Sequence, residues 1–271
     1  MFPLSGVEVS ALLPNISLGF LLQAREVDRE VFHLLDGTSP YFNMLLRWIH
    51  LIAGIVWIGH LYFFNLVNVN LMAKLDAPTK GKVIPQLMPR ALWWFRWGAV
   101  ATVLAGLTYY AMVWIAPQAR NAGTNPWLVL LVWLVIIVVL FAVEMVLLQK
   151  INNGWALAVA VALLSIVLAI ATIYWLATML GSAASNHTYS IGIGGGLGIL
   201  MMLNVWGIIW PNQKRIISWT ADNAENGTAI PPESAKLARI AFLASRTNTW
   251  LSIPMLFFMG ASEHFTMFGL T

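Results

Sequence analysis

The sequence predicts an all-α integral membrane protein, a bundle of six transmembrane helices preceded by an amphipathic helix on the outer side. Three observations predict it. Of the 271 residues, 59% are hydrophobic and 10% are charged, against about 25% charged in ordinary soluble domains. Several apolar runs reach the ~20 residues needed to cross a bilayer. Aromatic residues gather at the ends of those runs, as an interfacial belt requires: Trp93, Trp94 and Trp97 open the second, and Tyr109, Tyr110 and Trp114 close it.

Taken in order, the chain begins without the basic start and cleavage site of a signal peptide. The stretch Val9–Leu22 is interrupted by Pro14 and is too short to span, so it reads as interfacial; were 5–23 to span, there would be seven helices. Val27, Val31, Leu34 and Leu35 then recur at helical spacing beside Arg25, Glu26, Asp28, Arg29 and Glu30, the pattern of an amphipathic surface helix. Residues 1–40 thus form an outer N-terminal segment and 41–271 the transmembrane domain. Its spans are expected at 41–71, 91–116, 125–148, 154–180, 190–210 and 249–270. The long connections are 72–90 and 211–248, and in the second Pro231, Pro232 and Glu233 punctuate the start of a surface helix, Ser234–Ser245. The glycines of the fifth span, Gly192, Gly194, Gly195, Gly196 and Gly198, lie inside an apolar run rather than between a strand and a helix. They read as a close-packing face, not a nucleotide loop.

Eleven basic residues, Lys74, Lys80, Lys82, Arg90, Arg96, Lys150, Lys214, Arg215, Lys236, Arg239 and Arg246, fall on one side of this arrangement, and four, Arg25, Arg29, Arg47 and Arg120, on the other. The richer side is expected to be cytoplasmic, which puts both termini on the periplasmic side of a bacterial plasma membrane. Topology accounts for the net charge of +4, so no nucleic-acid partner is expected; the lipid bilayer is the expected surrounding. The absence of cysteine excludes disulfides, cysteine-held iron–sulfur clusters and covalent haem.

An ionisable side chain at the centre of a span costs at least ~2.5–3.5 kcal/mol, so each one asks for a partner, a cavity or a cofactor. The candidates are His50 and His60 in the first span, Arg96 in the second, Glu144 in the third and His264 in the last. On a helix, His50 and His60 lie about 15 Å apart along the axis and about 80° apart around it, which puts His50 in the outer half and His60 toward the cytoplasm. His264 is expected at a depth compatible with that of His50. Two neutral imidazoles from different helices are a usual axial pair for non-covalent haem b, so His50, His264 and His60 are the candidate haem and metal ligands. Trp57, seven residues after His50 and on the same face, is a candidate wall of that site, and Gly54 and Gly59 leave room for a macrocycle or for a neighbouring helix. The competing reading is a set of histidines that tether helices through hydrogen bonds. His33 and His187 belong to outer segments and could complete a site there. Arg96 and Glu144 are expected to form a salt bridge, or to line a proton path with His60 and Asn204. Of the fourteen tryptophans, only Trp57 and Trp133 are expected to be deep.

The segments RWIHLIAGIVWIGHLYFF, WWFRWGAVATVLAGLTYY, NVWGIIWPNQKRI and SRTNTWLSIPMLFFMGASEHF resemble successive signatures of the N-terminal membrane domain of bacterial, cytochrome-c-linked urate oxidases. The likeness runs from about residue 41 to the C-terminus, and the stretches Asn204–Lys214 and Asn248–Pro254 carry most of it. It implies oxidation of urate to 5-hydroxyisourate, with electrons leaving through a c-type cytochrome. Since no Cys-x-x-Cys-His motif is present, that acceptor is expected to be a separate membrane or periplasmic redox subunit. Three functions follow for comparison: a haem-b redox subunit, a non-enzymatic docking subunit of a larger membrane complex, and urate oxidation itself.

Overall fold

The computed structural model describes residues 39–268, and among these every regular element is helical. Six helices follow one another: α1 (Pro40–Lys74), α2 (Ala77–Asn121), α3 (Pro126–Lys150), α4 (Gly154–Leu180), α5 (Asn186–Asn226) and α6 (Glu233–His264). The chain divides into the units Met1–Leu45 and Leu46–Thr271; of the first, only the opening turns of α1 are described, and the packing below concerns the second. The interfacial stretch, the amphipathic helix around Val27–Leu35 and His33 lie outside the described residues.

Local chemistry sets the helix limits. Asn125 accepts a hydrogen bond from the Trp127 amide (2.9 Å) and Asn153 from those of Trp155 and Ala156, so each caps the helix that follows. Asp76 does the same for α2 through Thr79, with Pro78 in the first turn. Gly227, at φ +71°, ends α5 in the left-handed conformation that favours glycine.

Helices α1 to α5 are each long and apolar enough to cross a membrane. At 32 residues, α6 runs about 48 Å, also longer than the ~30 Å hydrocarbon core, and its first half is polar. The six expected spans therefore correspond to six helices, but the connections between them differ from the expectation. Residues 77–90 are the first turns of α2, 210–226 continue α5, and the expected surface helix Ser234–Ser245 is the start of α6, unbroken into the span. Hydropathy marks only the part of a helix that lipid covers, so it hid these polar extensions. They pack together beyond the apolar zone, where a Cβ added to Gly81 would come within 3.2 Å of Ala224, and Arg215 pairs with Glu233 at 2.5 Å. This is the end that carries most of the basic residues.

Helix α5 is the hub. Two-thirds of its apolar window is buried, against at most one-third for α1 to α4. Its glycines account for this, as their spacing predicts. A Cβ on Gly192 would lie 2.8 Å from the Tyr110 hydroxyl of α2 and 3.0 Å from Leu176 of α4; one on Gly194 would lie 3.2 Å from the Met255 carbonyl of α6; one on Gly196 would lie 3.0 Å from Leu168 of α4. Helices α2, α4 and α6 thus approach the α5 backbone, with Trp133, Ile137, Ile193 and Leu197 filling the core between them. The outward faces of α3 and α4 expose Leu131, Val135, Val138, Leu163, Ile166 and Ile170, an apolar surface suited to lipid.

Gly192→Leu is expected to destabilise the bundle by about 1–3 kcal/mol through overpacking, whereas Gly59→Ala, whose added Cβ meets nothing within 4 Å, is expected to leave thermal unfolding in detergent unchanged. Equal melting of the two variants would contradict the packing described.

Candidate functional site

Helices α1 and α2 meet along a seam of small residues at four-residue spacing, Gly98, Thr102 and Gly106. A Cβ on Gly98 would lie 3.3 Å from the Trp57 amide nitrogen, and Gly54 comes within reach of the Thr102 methyl. At Gly106 the missing side chain matters most, because an added Cβ would lie 2.5 Å from His50 Nδ1. The half-buried imidazole rests in that gap, and its Nδ1 is 2.8 Å from the carbonyl oxygen of Thr102. A carbonyl only accepts, so Nδ1 carries the hydrogen and Nε2 of the neutral ring keeps its lone pair. Buried metal-ligating histidines are oriented in this way. Helix tethering is achieved by the same contact.

His60 lies half-buried, and its Nδ1 is 2.7 Å from the Val56 carbonyl of its own helix, which again leaves Nε2 as the basic nitrogen. Trp57 is 1% exposed and turned onto α2, and Trp133 is 2% exposed, so both are deep as expected. Gly54 makes room for α2, while Gly59 faces no neighbour within 4 Å.

At the end opposite the basic extensions, Glu263 joins three helices. Arg47 Nη2 of α1 lies 3.3 Å from its Oε1, and His187 Nε2 of α5 lies 3.4 Å from its Oε2. His187, in the first turn of α5, is stacked flat on Trp114 of α2, with ring centroids 4.3 Å apart. His264, exposed at the end of α6, lines a cavity of about 270 Å³ with Ser185, Asn186, His187, Ser262 and Glu263. Since Arg47 precedes His50 by about 4.5 Å of helix rise, the Arg47–Glu263 pair brings the His50 turn and His264 to the same end of the bundle.

A second polar cluster is fully enclosed. Glu144 of α3, Asn204 of α5 and Asn248 of α6 are each 0% exposed. Asn204 Nδ2 donates to Glu144 Oε1 and to Asn248 Oδ1, both at 2.8 Å, and Asn248 Nδ2 donates to the Met201 carbonyl at 2.9 Å. The expected Arg96–Glu144 salt bridge is absent among the described residues. Arg96 instead stacks on Trp210, its guanidinium carbon 3.7 Å from the ring centroid, a cation–π contact that leaves Nε and Nη1 buried without acceptors.

The sequence does not mark Thr102, Gly106 or Glu263 as site residues, and it marks Asn248 only through the family likeness. Gly106, four residues after Thr102 and eight after Gly98, is legible as part of a small-residue stripe; Thr102 acts through its backbone, which leaves no mark in the sequence.

Asn204→Leu, which strips Glu144 of its donor, is expected to cost about 1–3 kcal/mol. Glu263→Gln, which weakens the exposed ion pair with Arg47 and the contact with His187, is expected to cost under about 1 kcal/mol. Thermal unfolding of the two variants side by side checks the order, and the reverse order would contradict it.

No curated protein and no solved structure matches the chain. The family described as urate oxidase N-terminal does, over residues 37–83 and 77–270, which include His50, His60, Glu144, Asn204, Asn248 and His264. The chain belongs to the urate oxidase N-terminal family.

Proposed function

We propose that this chain is a membrane-embedded redox subunit that holds haem b through His50 and His264 and passes electrons to or from a separate partner, a c-type cytochrome or another redox subunit. The observation that carries this reading is the fixed orientation of His50: Nδ1–H on the Thr102 carbonyl, Nε2 left basic, and Gly106 leaving space for the ring. The donor set suits a b-type group, since imidazoles are present and cysteine is not. When bound, haem b would supply reversible one-electron transfer. The protein's part is to hold the imidazoles at fixed angles. His264 is the second ligand in this reading, on the side of the bundle where Arg47 meets Glu263, and His60 is the alternative. Trp57, packed beside the seam, stiffens the helix that carries His50.

In the same reading the basic end faces the cytoplasm of a bacterial plasma membrane. The partner docks at the opposite end, near the cavity lined by His187 and His264. Membership of the family favours a second reading, in which the electrons come from oxidation of urate to 5-hydroxyisourate. Urate-dependent reduction of added cytochrome c by membranes containing the protein tests it, and no reduction above background removes it.

The purified protein is expected to show a reduced-minus-oxidised b-type spectrum that is lost in His50→Ala. Gly106→Leu, which displaces the ring from Thr102, is expected to weaken haem binding by about 10–100-fold, as loss of an outer hydrogen-bond partner does at metal sites. A protein without haem, or a spectrum that survives His50→Ala combined with His264→Ala, would overturn the assignment and favour a docking subunit.

A further inference from the structure

We propose that Glu144 is a proton-binding site inside the bundle, loaded and unloaded from the basic end along a polar stripe of α6 and α1. The proposal stands apart from haem binding.

The geometry of the enclosed cluster points to it. Asn204 Nδ2 spends both its hydrogens, on Glu144 Oε1 and Asn248 Oδ1. Glu144 Oε2 and Asn204 Oδ1 are then left buried, two acceptors with no donor. A carboxylate in the interior of a membrane bundle needs its charge balanced, and one amide N–H does not balance it. Among the charged and titratable side chains of the surrounding helices, Arg96 of α2 lies over Trp210 with Nε and Nη1 buried and without acceptors, Arg246 of α6 lies over the Phe242 ring, Arg239 reaches toward the Ile151 carbonyl, and His60 of α1 is bonded to Val56. Lys150, at the end of α3, is exposed. None of them pairs with Glu144 among the described residues. A proton on Oε2 neutralises the carboxyl and converts one of the two unpaired acceptors into a donor.

Two further features give the site a way to exchange its proton. Asn204 directly precedes the π-helical segment Val205–Ile209 of α5, a local widening that recurs at functional positions in helices. On α6, Ser245 lies three residues before Asn248 and so on the same face. Its half-buried hydroxyl accepts from Asn65 Nδ2 at 2.8 Å, and Asn65 belongs to the π-helical segment Phe63–Asn68 of α1. Asn65 Oδ1 and Asn68 Oδ1 are buried without donors as well. The polar side chains therefore continue from Glu144 through Asn204, Asn248 and Ser245 to Asn65 and Asn68. Unloading breaks the Oε2–H bond, leaves its electron pair on the carboxylate, and passes the proton to a water molecule, which carries it out as hydronium along this stripe. No oxidant or reductant takes part.

Infrared spectroscopy of the full chain in detergent tests the proposal. At neutral pH the wild type is expected to show a carboxylic-acid C=O band that shifts down in D₂O and is missing in Glu144→Gln. Labelling the wild type with ¹³C-glutamate reads the same band without relying on a variant. Because a glutamine amide keeps the acceptor for Asn204 and supplies a donor in place of Oε2, Glu144→Gln is also expected to melt no lower than wild type. In Asn65→Leu combined with Ser245→Ala the band is expected to remain while its D₂O shift slows at least about tenfold. Carboxylate bands alone, an unaltered exchange rate in the double variant, or stabilisation by sodium over potassium that Glu144→Gln abolishes would each overturn the proposal, the last by marking a metal-cation site.

Discussion

Close approach of helix backbones, at positions where a side chain is missing, is the constraint on which the rest of this structure depends. In lipid no hydrophobic force draws one helix to another, so association rests on packing and on hydrogen bonds between helices. The glycines of α5 allow α2, α4 and α6 to close on it, and Gly98 and Gly106 of α2 allow α1 to do the same. The consequence at Gly106 is chemical as well as structural. The histidine that enters the gap meets a backbone carbonyl, and that contact decides which ring nitrogen stays basic.

Around this packed frame the polar groups separate into two regions. At one end Glu263 connects α1, α5 and α6 through an exposed ion pair with Arg47 and a contact with His187, which add little stability but define a rim and a small cavity. In the other half, Glu144, Asn204 and Asn248 form an enclosed network, where each hydrogen bond matters because the low dielectric strengthens it. A redox site in the first region and a proton site in the second would place electron and proton handling at different depths of one bundle. The π-helical segments of α1, α2 and α5 lie beside these regions, and Asn65 and Asn204 sit in or next to two of them.

Much of the fold was legible in the sequence because bilayer thickness imposes a length on each apolar run, and aromatic residues mark its ends. The glycine face of α5 was legible too, since glycine permits the closest approach of helix backbones. The polar extensions were not: residues 77–90, 211–226 and 233–248 read as connections because their helices are stabilised by one another beyond the lipid, not by hydropathy. Of the site, His50, His60, Glu144 and Asn204 stood out as polar groups in apolar surroundings. Their partners did not. Thr102 contributes a carbonyl that any residue would supply, and in place of the salt bridge expected between Arg96 and Glu144 the guanidinium lies on the face of Trp210, an aromatic partner that sequence spacing does not reveal.

The bundle holds His50 in one tautomer, with Nε2 unprotonated, and the proposed haem site rests on that. Nitrogen-15 NMR of the protein labelled only at histidine, with His50→Gln to assign the signal, measures it directly. The expected result is a neutral ring protonated at Nδ1 and unprotonated at Nε2. A ring protonated at Nε2, or one exchanging freely between the two forms, would contradict it.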